Sequence, residues 1–175
     1  EWLEGEAIGA RVTRHPRYAG ARQHLPGALA GALASIHRIT PENEPELPIS
    51  RTPFLPESDP GRAALHFLRG MIDQLPSARP ATELVLRWLQ QHCPRPKEVT
   101  LVHADFRTGN FMVNQDGLVG VLDWEFVHWG DPIEDIGWLC VRDWRFGCID
   151  RPAGGLTSRD AFCALYTEAS GRVVE

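Results

Sequence analysis

Between residues 99 and 122 the spacing of apolar side chains changes, and that change limits the possible folds more than any other feature of the chain. On either side, apolar positions recur every three to four residues, as a helix requires. Inside the window they form short runs with a β-branched bias, at residues 99–102, 111–113 and 118–122, as short strands require. The last two runs flank Asn114-Gln115-Asp116-Gly117, where Asp-Gly tolerates the positive φ of a tight hairpin. The expected centre is a small sheet with an irregular loop at residues 105–110. The fold class read from this pattern is α+β, mostly helical with a small β-hairpin sheet.

The flanking helices have recognisable ends. Leu25, Leu29, Leu33 and Ile36, with Ala28 and Ala32 between them, predict a buried helix ending near Ile39, with Pro26 in its first turn. Ser58-Asp59-Pro60 starts a second helix with Leu65, Leu68, Ile72 and Leu75 on one face. Pro80 opens a third, carrying Leu84, Val85, Trp88 and Leu89, which stops before Pro94 and Pro96. After the sheet, Asp131-Pro132 caps a helix through Ile133, Ile136 and Leu139. Thr157-x-x-Asp160 reads as a capping box for a last helix with Phe162 and Leu165. Six prolines between residues 41 and 60 deny that stretch backbone donors, which predicts a long surface loop. A chain of 175 residues suits one domain, taken as residues 1–175.

Composition excludes several classes. With 43% hydrophobic and 23% charged residues the chain is an ordinary globular sequence. A net charge of -5 with scattered arginines argues against nucleic acid as a partner. No window approaches the length of a membrane span, so no membrane partner is expected. Cys93, Cys140, Cys148 and Cys163 lack metal-ribbon spacing and no leader precedes them, so a cytoplasmic location is expected. The chain opens on Glu1-Trp2-Leu3 rather than Met, which reads as a fragment.

Most of the chemistry lies in residues 101–110 and 121–125. Asp105, Asn110 and Asp123 sit at a strand end, a loop end and the next strand's end, which a hairpin brings together. Phosphoryl transfer needs a metal on the phosphate oxygens and a carboxylate to orient the attacking hydroxyl. Mg²⁺ takes oxygen ligands and keeps several waters, so one carboxylate and one amide oxygen suffice as protein ligands. Two rival readings use the same stretch. One is a metal-dependent phosphohydrolase with His103, Asp105, Asp123 and His128 as ligands; the other is a kinase-like binding or regulatory module without turnover. The bland readings give His103 a scaffold role, make Trp124, Trp129, Trp138 and Trp144 core aromatics, leave Glu125 solvated, and assign nothing to His15, His24, His37, His66 and His92.

His103-x-Asp105-x-x-x-x-Asn110, followed 13 residues later by Asp123 on an apolar strand, resembles the aminoglycoside phosphotransferases and their choline-kinase and protein-kinase relatives. The wording of residues 103–110, 120–125 and 130–138 is similar to the branch related to the kinase domain of certain acyl-CoA dehydrogenase fusions, which usually has Gly where this chain has Ala104. The resemblance implies a protein-kinase-like C-terminal lobe that uses ATP, with GTP as the alternative nucleotide, and Mg²⁺ to phosphorylate a hydroxyl of a small molecule. The acceptor would be aminoglycoside-like, another metabolite or a hydroxyacyl thioester. By the same resemblance Asp105 is the catalytic base, Asn110 and Asp123 hold the metal, and His103, Asp131 and Asp135 support the site. Glu1, Trp2 and Leu3 belong to an inter-lobe hinge, residues 1–5, that meets the adenine. Read from the residues alone, Arg107 is equally a contact to substrate or phosphate and the partner of a nearby carboxylate. The family's N-terminal lobe, with its phosphate-binding Lys, is expected to be absent, since the single lysine, Lys97, is a poor match.

Overall fold

Leu25, Leu29 and Leu33 are completely buried on one stripe of the long helix that organises the molecule. Each such burial contributes roughly 1.5–3 kcal/mol. The computed structural model describes residues 2–49 and 59–174. In it, helix α1 spans Gly9–Arg14 and the long helix α2 spans Ala19–Ile36. Ala21, Ala30 and Ala34 join the leucine stripe and let α2 pack closely along the last helix, α6 (Arg159–Ser170), which buries Phe162 and Tyr166. Pro26 lies in the interior of α2 rather than in its first turn, because the helix starts at Ala19. The residues from Ala19 to Arg22 are small or polar, so no apolar period marks that start. Pro26 cannot donate to the carbonyl of Arg22, which costs the helix one bond.

Helices α3 (Pro60–Asp73) and α4 (Pro80–His92) form a hairpin with the ends expected: the Asp59 side chain accepts from the Arg62 N–H at 3.2 Å, and Pro60 and Pro80 open the two helices. The expected apolar faces are only partly covered. Ala63, Leu65 and Leu86 are buried, whereas Leu68, Leu75, Leu84, Val85 and Trp88 are exposed. Residues 50–58 of the proline-rich stretch lie outside the described residues.

The strands form two antiparallel pairs rather than one sheet. β2 (Phe111–Val113) pairs with β3 (Leu118–Val121) across the expected turn. There Asn114 Oδ1 accepts from the N–H groups of Asp116 and Gly117 at 2.8 and 3.0 Å. β1 (Thr100–Val102) pairs with β4 (His128–Gly130), a strand too short to be seen in a His-Trp-Gly sequence. A Cβ at Gly130 would lie 2.8 Å from Val102 Cγ2, so glycine is what lets the two strands meet. Helix α5 (Ile133–Leu139) follows, its first turn capped by Asp131 Oδ1 on the Ile133 N–H at 2.9 Å. The cap of α6 is Ser158, which accepts from the Ala161 N–H at 3.2 Å, one residue beyond the expected Thr157.

Candidate active site

The loop between β1 and β2 is held from behind by one buried carboxylate. Asp135, on α5, accepts from the N–H of His103 through Oδ2 and from the N–H of Ala104 through Oδ1, both at 2.8 Å. Its Oδ2 also meets His37 Nε2 at 3.1 Å, and His37 Nδ1 meets the Tyr166 hydroxyl at 2.7 Å. His37 and Asp135 are fully buried, so the last turn of α2, the last helix and the loop share one polar network. Sequence spacing gave His37 no role, because its partners are 98 and 129 residues away. Asp131, grouped with Asp135 from the sequence, stands apart: it caps α5, and burial raises its carboxyl above the ordinary range.

His103 is held as a neutral ring. Its Nδ1 accepts from the Asp105 N–H at 3.2 Å, so Nε2 carries the proton and donates to the Leu122 carbonyl at 2.9 Å. Burial lowers its pKa, against the opposing pull of Asp135. Ala104 sits at φ 64, in the left-handed region that costs a non-glycine residue roughly 1–2 kcal/mol. Four residues further on, Thr108 is buried and donates to the Gly154 carbonyl at 2.7 Å. A Cβ at Gly154 would stand 2.6 Å from the Thr108 hydroxyl, so the loop is tied down where the chain opposite has no side chain.

Asp105 is buried in the middle of this loop and its carboxylate is surrounded by donors. Arg107 Nε donates to Oδ1 and Oδ2 at 3.0 and 3.1 Å, Asn110 Nδ2 to Oδ2 at 2.6 Å, and Trp138 Nε1 to Oδ1 at 2.7 Å. The Arg107 guanidinium lies 4.4 Å above the Trp144 ring, a cation–π contact. Of the four tryptophans read as core, only Trp129 is buried; Trp138 is 39% exposed and its indole N–H meets the Asp105 carboxylate. No spacing rule could have found it, since the contact depends on how α5 docks.

The hairpin brings Asp123 next to Asn110. The Leu122 N–H donates to the Asn110 carbonyl at 2.8 Å, so the following residue, Asp123, begins beside it. Asp123 takes φ 68, is exposed, and makes no hydrogen bond or ion pair within the described residues. Asn110 turns its amide nitrogen to Asp105, which leaves its side-chain oxygen. One carboxylate and one amide oxygen suit a hard divalent cation such as Mg²⁺, with water completing the shell. The phosphohydrolase ligand set is not assembled. His103 is engaged with Leu122, and His128 is engaged with the Phe126 carbonyl and with Glu134. Among the described residues no group of three or more His, Cys, Asp or Glu could hold a metal ion.

The segment before α1 runs beside the same hairpin. Glu6 and Val113 exchange backbone hydrogen bonds at 2.8 and 3.0 Å, and Leu3 packs over Gly120, where a Cβ would be 3.1 Å away. Trp2 is 90% exposed, while Glu1 lies outside the described residues.

Comparison with known proteins agrees with this geometry. The model of the phosphotransferase enzyme family matches residues 1–171. Acyl-CoA dehydrogenase family member 10 of Mus musculus is 40% identical over 67 residues, 37% of this chain and 6% of that protein. A Ralstonia eutropha JMP134 protein, described as a candidate aminoglycoside phosphotransferase, shares the fold with a TM-score of 0.73 at 20% identity, covering 100% of this chain and 55% of that one. A macrolide 2'-phosphotransferase from Brachybacterium faecium has a TM-score of 0.63 at 18% identity, with coverages of 98% and 54%. The chain therefore spans about half the length of the solved relatives it matches. The fold is that of kinase-like phosphotransferases, helical with small antiparallel sheets, and the chain belongs to the phosphotransferase enzyme family.

Proposed function

We propose that this chain is the C-terminal, catalytic lobe of a small-molecule kinase that transfers the γ-phosphoryl group of ATP or GTP to a hydroxyl. The observation that carries the reading is the placement of Asp105. It is a buried carboxylate oriented by three side chains, and the hairpin end that bears Asn110 and Asp123 adjoins it. In this reading Asp105 orients the acceptor hydroxyl and takes its proton. Asn110 and Asp123 hold Mg²⁺, which when bound neutralises charge on the phosphate oxygens. Solved relatives include the GDP and kanamycin complex of an aminoglycoside 2''-phosphotransferase, which supports a nucleotide and a hydroxylated acceptor as the two substrates.

The remaining residues take supporting parts. Asp135 and His103 hold the loop backbone, and Asp131 caps the helix that carries Asp135. Leu3, which packs over Gly120 of β3, would face the adenine together with Glu1 and Trp2. Arg107 would meet phosphate or acceptor once released from Asp105. The four cysteines are free thiols, and no described helix is long and apolar enough to cross a membrane; both facts fit work in the cytoplasm.

The test is Mg²⁺-dependent ATP and GTP consumption by the full-length gene product with aminoglycosides, other hydroxylated metabolites and hydroxyacyl thioesters as acceptors. Asp105→Ala should lower turnover by at least about a hundredfold with folding intact. Full activity in that variant would end the reading.

A further inference from the structure

A carboxylate offers about four lone-pair positions, and in Asp105 all are engaged. Oδ1 accepts from Trp138 Nε1 at 2.7 Å and Arg107 Nε at 3.0 Å; Oδ2 accepts from Asn110 Nδ2 at 2.6 Å and the same Arg107 Nε at 3.1 Å. An incoming hydroxyl can be accepted only if one donor leaves. The three donors are not equally held. The Arg107 N–H is divided almost evenly between the two oxygens, so neither bond is a full one. Its two amino nitrogens make no hydrogen bond within the described residues, and its guanidinium already lies over the Trp144 ring. Asn110 is fixed by a second bond to the Asp105 carbonyl at 3.0 Å. Trp138 is fixed by α5 itself and by the Trp144 ring, 5.8 Å away between centroids. Trp138 also follows Asp135 by three residues, so one stretch of α5 grips both the loop backbone and the reactive carboxylate.

From this geometry we infer that Trp138 is a positioning residue. Its indole N–H on Oδ1, opposite the Asn110 amide on Oδ2, fixes the plane of the Asp105 carboxylate while Arg107 yields its place to the acceptor hydroxyl. The inference rests on the reading of Asp105 as the proton acceptor. Trp138→Phe keeps an aromatic ring against Trp144 and removes only the donor.

Two measurements on the full-length gene product test it, with Mg·ATP as the probe and water as the acceptor. In Trp138→Phe, kcat should fall about tenfold or more, the equivalent of one hydrogen bond to a charged group, while KM for Mg·ATP stays within twofold. In ¹H–¹⁵N spectra the Trp138 indole signal, assigned by its loss in Trp138→Phe, should move upfield in Asp105→Ala, a response that a merely structural tryptophan would not give. If Trp138→Phe turns over like the parent while Asp105→Ala is inactive, or if the indole signal ignores Asp105→Ala, the inference is overturned and the reading of Asp105 stands. If Asp105→Ala itself keeps full turnover, the reading of the site falls first.

Discussion

The α3–α4 hairpin and the α2–α5–α6 core contain helices of similar apolar content, yet they are held by different forces. In the core, Leu25, Leu29, Leu33, Phe162 and Tyr166 exclude water, and the buried side chains of His37 and Asp135 bond to each other, to the Tyr166 hydroxyl and to the loop backbone. In the hairpin, most apolar side chains face solvent and the polar tie is Arg69, which bridges Glu83 at 2.6 Å and Asp73 at 2.8 Å on the surface. Amphipathic spacing predicts that a helix exists; what covers its apolar face is a tertiary matter. The loop that carries Asp105 is built on the core side, where Asp135 holds its backbone.

The comparison breaks most readily at its buried carboxylate. Asp135→Ala leaves the N–H groups of His103 and Ala104 and the His37 ring without their acceptor, and should cost about 3–5 kcal/mol in chemical denaturation. A loss below about 1 kcal/mol would mean that the network does not organise the core. Within α4 two neighbouring leucines sharpen the contrast. Leu86 is 3% exposed and Leu84 is 71% exposed. Leu86→Ala should cost about 2–4 kcal/mol and Leu84→Ser less than about 0.5 kcal/mol, measured on the same unfolding curve.

Acid should act on the core. His103 has its pKa lowered by burial, so as the pH falls through the usual histidine value near 6.5 the unfolded chain takes up a proton that the folded chain refuses. Stability therefore drops with falling pH, by up to about 1.4 kcal/mol per unit for this one group. His128 has the opposite sign: burial lowers its pKa, but the stronger combined pull of Glu134 and its other partners raises it. Its contribution is thus complete below the unfolded value and is lost as the pH rises through the folded one. Unfolding curves from pH 5.5 to 8 on His103→Asn and His128→Asn should separate the two slopes. Ala104→Gly relieves a left-handed alanine at φ 64 at the cost of a more flexible unfolded chain. The net change should be a gain below about 1 kcal/mol, with the midpoint moving upward or staying in place.

What the sequence makes legible is local. The Asp59 cap, the Asn114–Gly117 turn and the His103–Asp123 spacing each depend on residues close in the chain; Asp123, expected on the strand, lies just past the end of β3 at φ 68. Ala104 takes a left-handed backbone, φ 64, at the position of the motif where the resemblance leads one to expect glycine. The His37–Tyr166 and His37–Asp135 contacts, the β1–β4 pairing and the Trp138 indole on Asp105 depend on docking over tens of residues. Side-chain type alone assigned His37 no role and made Trp138 a core aromatic. Pro26 was misplaced for a related reason: Ala19-Gly20-Ala21 carries no apolar period, so the helix starts earlier than its visible stripe.

The contact between His37 and Tyr166 also has a temporal meaning. The loop that carries Asp105 leans on Asp135, Asp135 leans on His37, and His37 meets a hydroxyl on the final helix, 129 residues later. A nascent chain emerging in order can form α2 and the β2–β3 hairpin early, but the polar network stays open until α6 has been made and has docked. The loop that carries Asp105 is thus set only once α6 has docked, and a chain halted before residue 166 would present the His-x-Asp motif without the buried network that shapes it.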